Sequence, residues 1–189
     1  MRYLLLFVFV TMPAFAQDDG WIRDAYHTAY HLEKMGSYAK AVQALQPVVE
    51  AYPRGYAVNL RLGWLNHLYG KYAESEKYYR MAIQSAPGAL EPRLGLLLPL
   101  LAQQRWDEVE QMAYQILKDD PCNYYGNLRL LEALRKQLKF DLARRQAEKM
   151  VALYPADTHF LTEQALALQG LGETEQAATI LTDVEILMR

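Results

Sequence analysis

One cysteine, Cys122, is all this 189-residue chain has. No internal disulfide can form, and no cysteine pair is present to ligate zinc or run thiol exchange. The fold must therefore be held by its apolar core alone. Cys122 follows Pro121 with no basic group or ligand cluster beside it in sequence, and reads as an inert turn residue. Glycine-rich phosphate loops and nucleophile elbows are missing as well. Of the four histidines, His27 and His31 stand four apart on one helical face. Two ligands fall short of the three or four that a zinc site takes. Acidic and basic residues nearly balance, 22 against 20, and no basic stripe marks a nucleic-acid partner. The expectation is a non-catalytic protein with no cofactor and no metal. A metal-binding or enzymatic protein using His27 and His31 stands as a rival that elemental analysis would decide.

The one long apolar stretch lies at the start. Met1-Arg2 gives a positive beginning, Tyr3 to Val10 an apolar core, and Ala14-Phe15-Ala16 a small-x-small cleavage site before Gln17-Asp18-Asp19. This pattern reads as a secretory signal peptide over residues 1–16, cut after Ala16. It predicts a periplasmic or secreted protein with no transmembrane segment once the signal is removed, since no later stretch approaches the roughly 20 apolar residues of a membrane span. No cysteine sits at the cut, which argues against a lipoprotein. Residues 17–189 suit one domain.

What is present is a period. Pro53, Pro87, Pro121 and Pro155 stand 34 residues apart. Tyr38, Tyr72, Trp106, Phe140 and Thr174 keep the same step, as do Val48, Ala82, Ile116, Met150 and Val184. Five units follow, at about 20–53, 54–87, 88–121, 122–155 and 156–189. Each carries two amphipathic patterns and a proline, which cannot continue a helix and disfavours helix just before it. The first helix of each unit (A) is expected over about 21–35, 56–69, 90–103, 124–137 and 158–169. The second (B) is expected over about 38–51, 72–85, 106–119, 140–153 and 173–187. Gly36, Gly70 and Gly172 fall where A turns into B. Asn123 and Asp157 are placed to cap helices 4A and 5A.

These columns resemble the tetratricopeptide repeat family, with small residues at the helix crossing, an aromatic near the start of helix B, and a closing proline. The crossing positions are Ala29, Gly63, Leu97, Leu131 and Ala165 on helices A. On helices B they are Ala41, Ser75, Val109, Ala143 and Ala177. Unit 2 fits best. The bulky Leu97 and Leu131 predict wider helix spacing in units 3 and 4. The resemblance implies an all-α, right-handed superhelical solenoid of five antiparallel helix-turn-helix repeats. Each unit would bury its apolar face on its neighbours.

In the family, helices A line the concave face. That would place Tyr26, Tyr30, Arg61, Trp64, Leu98, Tyr125, Arg129, Glu132, His159 and Glu163 in a groove for a protein or peptide partner. Trp64 and Arg61 lead this set, because tryptophan and arginine dominate interface energetics. Packing of Trp64 into the core stands as the other reading. The lysine, asparagine and arginine with which some members hold a partner's terminal carboxylate are not kept; Glu91 and Gly95 occupy two of those positions. Pro99, in the middle of helix 3A, predicts a kink beside the groove. Ile180, Leu187 and Met188 on the last helix suggest a homodimer through the C-terminal repeat. The functional expectation is an exported scaffold or adaptor in bacterial envelope assembly, secretion or export. The alternative is an accessory subunit of an outer-membrane or polysaccharide-export complex.

Overall fold

The computed structural model of the protein describes residues 20–189, so the signal segment expected at 1–16 lies outside the described residues. Eleven helices follow one another there: α1 (Gly20–Lys34), α2 (Tyr38–Ala44), α3 (Gln46–Ala51), α4 (Tyr56–Leu68), α5 (Tyr72–Ser85), α6 (Glu91–Ala102), α7 (Trp106–Asp119), α8 (Tyr124–Lys136), α9 (Phe140–Leu153), α10 (Thr158–Leu171) and α11 (Thr174–Leu187). They form five A–B pairs, with α2 and α3 together making helix 1B. The principal packing joins helices adjacent along the chain, or the A helices of successive units. That is a solenoid and not a closed bundle.

Two prolines inside helices behave differently. Helix 1B was expected to run unbroken over 38–51, but it breaks at Leu45. Pro47 has no N–H to offer the carbonyl four residues back, and its ring crowds that turn. Pro99, by contrast, sits buried inside α6, which continues from Glu91 to Ala102. Its i−4 residue is Gly95, which carries no side chain to add to the crowding.

All ten expected crossing residues are buried. In unit 2, Gly63 and Ser75 let α4 and α5 approach closely, and the Ser75 hydroxyl donates to the Gly63 carbonyl at 2.7 Å. The backbones of α6 and α7, and of α8 and α9, meet less extensively than those of unit 2.

The closing prolines have a second role that the sequence did not advertise. Their carbonyls are held by the residue six positions on. Asn59 donates to the Pro53 carbonyl at 2.9 Å and Asn127 to that of Pro121 at 3.1 Å, each also bonding the carbonyl four residues back. In unit 3 an arginine takes the place, Arg93 donating to Pro87 at 2.8 Å and to Asp119 at 2.6 Å. In unit 5 the column holds the apolar Leu161. The expected caps are both made: Asn123 Oδ1 accepts from the Gly126 amide, and Asp157 Oδ1 from those of His159 and Phe160.

The A-to-B turn needs one residue in the left-handed conformation. Gly36, Gly70 and Gly172 supply it at φ of 70°, 78° and 84°, but units 3 and 4 use Gln104 at 56° and Leu138 at 60°. A leucine there meets its own backbone, at a cost of about 1 kcal/mol. Its side chain is 73% exposed and recovers little by packing. Leu138→Gly should therefore raise stability by ~0.5–1 kcal/mol, read as a higher urea midpoint at unchanged slope. A lower midpoint would contradict this account of the turn.

Candidate functional site

The face built by the A helices is crossed by ion pairs at matching repeat positions. Between units 1 and 2, Glu33 on α1 accepts from Arg61 Nη2 and, at 2.7 Å, from Trp64 Nε1, both on α4. Three repeats further on the same two positions carry the opposite charges: Arg135 on α8 donates to Glu163 on α10 at 2.9 and 3.2 Å. Between units 2 and 3 the positions hold His67 and Gly95, and between units 3 and 4 they hold Leu101 and Arg129. Arg129 therefore has no cross-helix carboxylate at that column. It pairs with Glu132 on its own helix at 3.1 Å.

The Glu33 pair is well buried, with the Arg61 and Glu33 side chains 13% and 20% exposed. The Arg61 guanidinium lies 3.9 Å from the centre of the Tyr30 ring, a cation–π contact. Burial pulls the Arg61 pKa below the ordinary arginine value, and its buried Nε has no partner.

Behind this wall, Tyr79 reaches from α5 between α4 and α6. A Cβ on Gly63 would stand 2.8 Å from its ring, and one on Gly95 only 2.2 Å. The two glycines thus form a slot for the ring. Burial, with Glu91 nearby, pushes the Tyr79 phenol well above its ordinary pKa.

In front of Tyr79 opens a cavity of about 660 Å³. Seven of the ten residues read from sequence line it: Tyr26, Tyr30, Arg61, Trp64, Leu98, Tyr125 and Arg129. Arg129 also lines a second cavity of about 350 Å³, together with the other three, Glu132, His159 and Glu163. Lining residues that the sequence reading passed over include Tyr56, Tyr79, Leu60, Leu94 and Glu91. Trp64 takes both expected roles, since it packs against the cores of units 1–2 and 2–3 and also lines the larger cavity. Arg61 and Trp64, the leading pair of the expected groove set, both bond the chain's own Glu33.

Other expected sites fall as follows. His27 and His31 are exposed on α1, and among the described residues no group of three or more metal-ligating side chains gathers. Cys122 is exposed in the turn after α7. Ile180 packs partly against Ala165, Leu168 and Ala177, Leu187 is exposed, and Met188 is exposed at the edge of the second cavity. No helix among the described residues is long and apolar enough to cross a membrane.

His67, one turn beyond Trp64, lies between the Trp64 and Tyr72 rings, with centroids 6.1 and 5.8 Å away, and its Nδ1 is buried without a partner. Burial lowers its pKa from 6.5. The unfolded chain then takes up this proton first, so His67 costs stability as pH falls below 6.5 towards its lower folded value. Thermal melts from about pH 7.5 to 5.5 should show a steeper loss for the native chain than for His67→Gln. Parallel curves would remove the effect.

Repeat period, paired helices and a groove on the A-helix face define a class of protein. The tetratricopeptide repeat family model matches residues 26–89, and the helix pairs of the other described residues continue the same solenoid. Among solved structures, MamA from AMB-1 is 22% identical over 90% of this chain and 93% of its own, with a TM-score of 0.74. A MamA chain beginning at residue 41 from Desulfovibrio magneticus RS-1 is 14% identical over 89% of this chain and 96% of its own, with a TM-score of 0.81. At these identities the likeness is one of fold. No curated protein matches the chain.

Proposed function

We propose that this protein is an exported, non-catalytic scaffold that holds a peptide or protein segment in the groove of its A helices, as an adaptor in bacterial envelope assembly, secretion or export. The observation that carries the reading is the 660 Å³ cavity, whose walls combine Tyr26, Tyr30, Trp64 and Tyr125 with Leu60 and Leu98. Aromatic rings of this kind supply large contact area at little entropic cost. The repeat fold supports an interaction scaffold, and the export half of the proposal rests on the sequence of residues 1–16.

A photo-crosslinking residue placed at Leu98 in living cells tests the groove. It should capture a defined protein, identified by mass spectrometry, that the same residue placed at Lys149 on α9 does not capture. Adding Tyr125→Ala should cut that capture at least about tenfold, which corresponds to ~1.4 kcal/mol. Equal capture from both positions, or none from Leu98, would sink the proposal.

A further inference from the structure

We infer that the segment held in this groove presents one basic side chain, lysine or arginine, to Glu91, with apolar or aromatic residues beside it. The inference rests on the groove reading above and names the chemistry of its occupant.

Two arginines line the larger cavity, and each is already matched: Arg61 by Glu33 and Arg129 by Glu132. The remaining charged group on its lining is Glu91, and no cation among the described residues pairs with it. Its one side-chain partner is neutral, the Tyr56 hydroxyl at 3.2 Å. The cavity thus carries one carboxylate with no cation partner, exposed in the first turn of α6 beside Pro92.

The surroundings suit a cation as well as the charge does. The Tyr56 hydroxyl is bonded to Glu91, and the Tyr56 ring lines the cavity beside it. A phenol ring beside a carboxylate favours a lysine or arginine head through both Coulomb and cation–π attraction. An acidic side chain at this place would face Glu91 directly. The rest of the wall, Leu60, Leu94 and Leu98, is apolar and asks for apolar neighbours on the partner.

Random dodecapeptides displayed on phage, panned on the purified protein, provide the probe. Enriched peptides are then made with a fluorescent label and titrated by polarisation. The expected peptides carry Arg or Lys at one position beside Leu, Phe, Tyr or Trp. Replacing that residue by citrulline or norleucine should weaken binding about fivefold or more in the native chain, and less than about twofold in Glu91→Gln. Glutamine still accepts from Tyr56, so the variant keeps the local fold. Peptides that lose binding to Leu98→Arg yet show no preference for a basic residue, or prefer an acidic one, overturn the inference and leave the groove reading standing. If no peptide is enriched, or if binding to Leu98→Arg is undiminished, the groove reading falls and this inference falls with it.

Discussion

Glu33→Ala should destabilise the chain by about 2–4 kcal/mol, more than any other single carboxylate removal on this molecule. The reason is that one carboxylate satisfies two donors from the neighbouring unit, the Arg61 guanidinium and the Trp64 indole. Removing it strands a charge that is largely buried, together with an indole N–H, and a buried group left unpaired bears its full desolvation penalty. Arg61 already has an Nε without a partner, so it has little spare bonding to fall back on. The double variant Glu33→Leu with Arg61→Leu should recover much of the loss, because no unpaired charge then remains. Glu50→Ala is the control. Its bond to Gln46 is exposed, and it should move stability by no more than about 0.5 kcal/mol. Urea unfolding followed by circular dichroism decides the matter. A Glu33→Ala midpoint matching that of Glu50→Ala would show the pair to be ornamental.

That Glu33 was not singled out from sequence shows where such reading stops. The repeat period was legible because proline, aromatic and small-residue columns each enforce a local backbone or packing rule. Helix ends accordingly lie within two residues of expectation. Helix 1B is the exception, since Pro47 sits off the repeating proline column and its effect on one turn is independent of the period. The cavity-lining positions on the A helices were legible for the same reason: position within the repeat places a side chain on a face. Pairing across units is different. Glu33 and Arg61 are 28 residues apart and share no column. A signal did exist, because the same two columns hold Arg135 and Glu163 with the charges exchanged, and charge reversal at a fixed offset marks a conserved geometry within one chain. Glu91 was passed over because it was judged against a motif that the chain does not keep. Tyr79 lies on the buried face of α5. What the period could not show is that its ring passes through the helix layer to the groove.

That passage makes Tyr79 the second place where a single change should be costly. Tyr79→Ala should lower stability by ~3–5 kcal/mol, the range for deleting a buried aromatic side chain. Its ring is 2% exposed and packs with Leu96, Leu97 and Leu100 as part of the central core. Gly95→Ala tests the slot from the other side. The added Cβ would stand 2.2 Å from ring atom Cε1, and Gly63 on the opposite side, with ring atoms 2.8 Å from its own Cβ position, leaves no room to retreat. Overpacking of this kind costs about 1–3 kcal/mol even though alanine is the better helix former by up to ~1 kcal/mol. Once the ring is gone the balance should reverse. In the Tyr79→Ala background Gly95→Ala should be neutral or stabilising, giving a coupling of at least about 1 kcal/mol between two residues on different helices. Additive effects would mean that the glycine is there for some other reason than the ring. A Gly95→Ala chain that keeps full stability with Tyr79 in place would mean that the slot is looser than its geometry states.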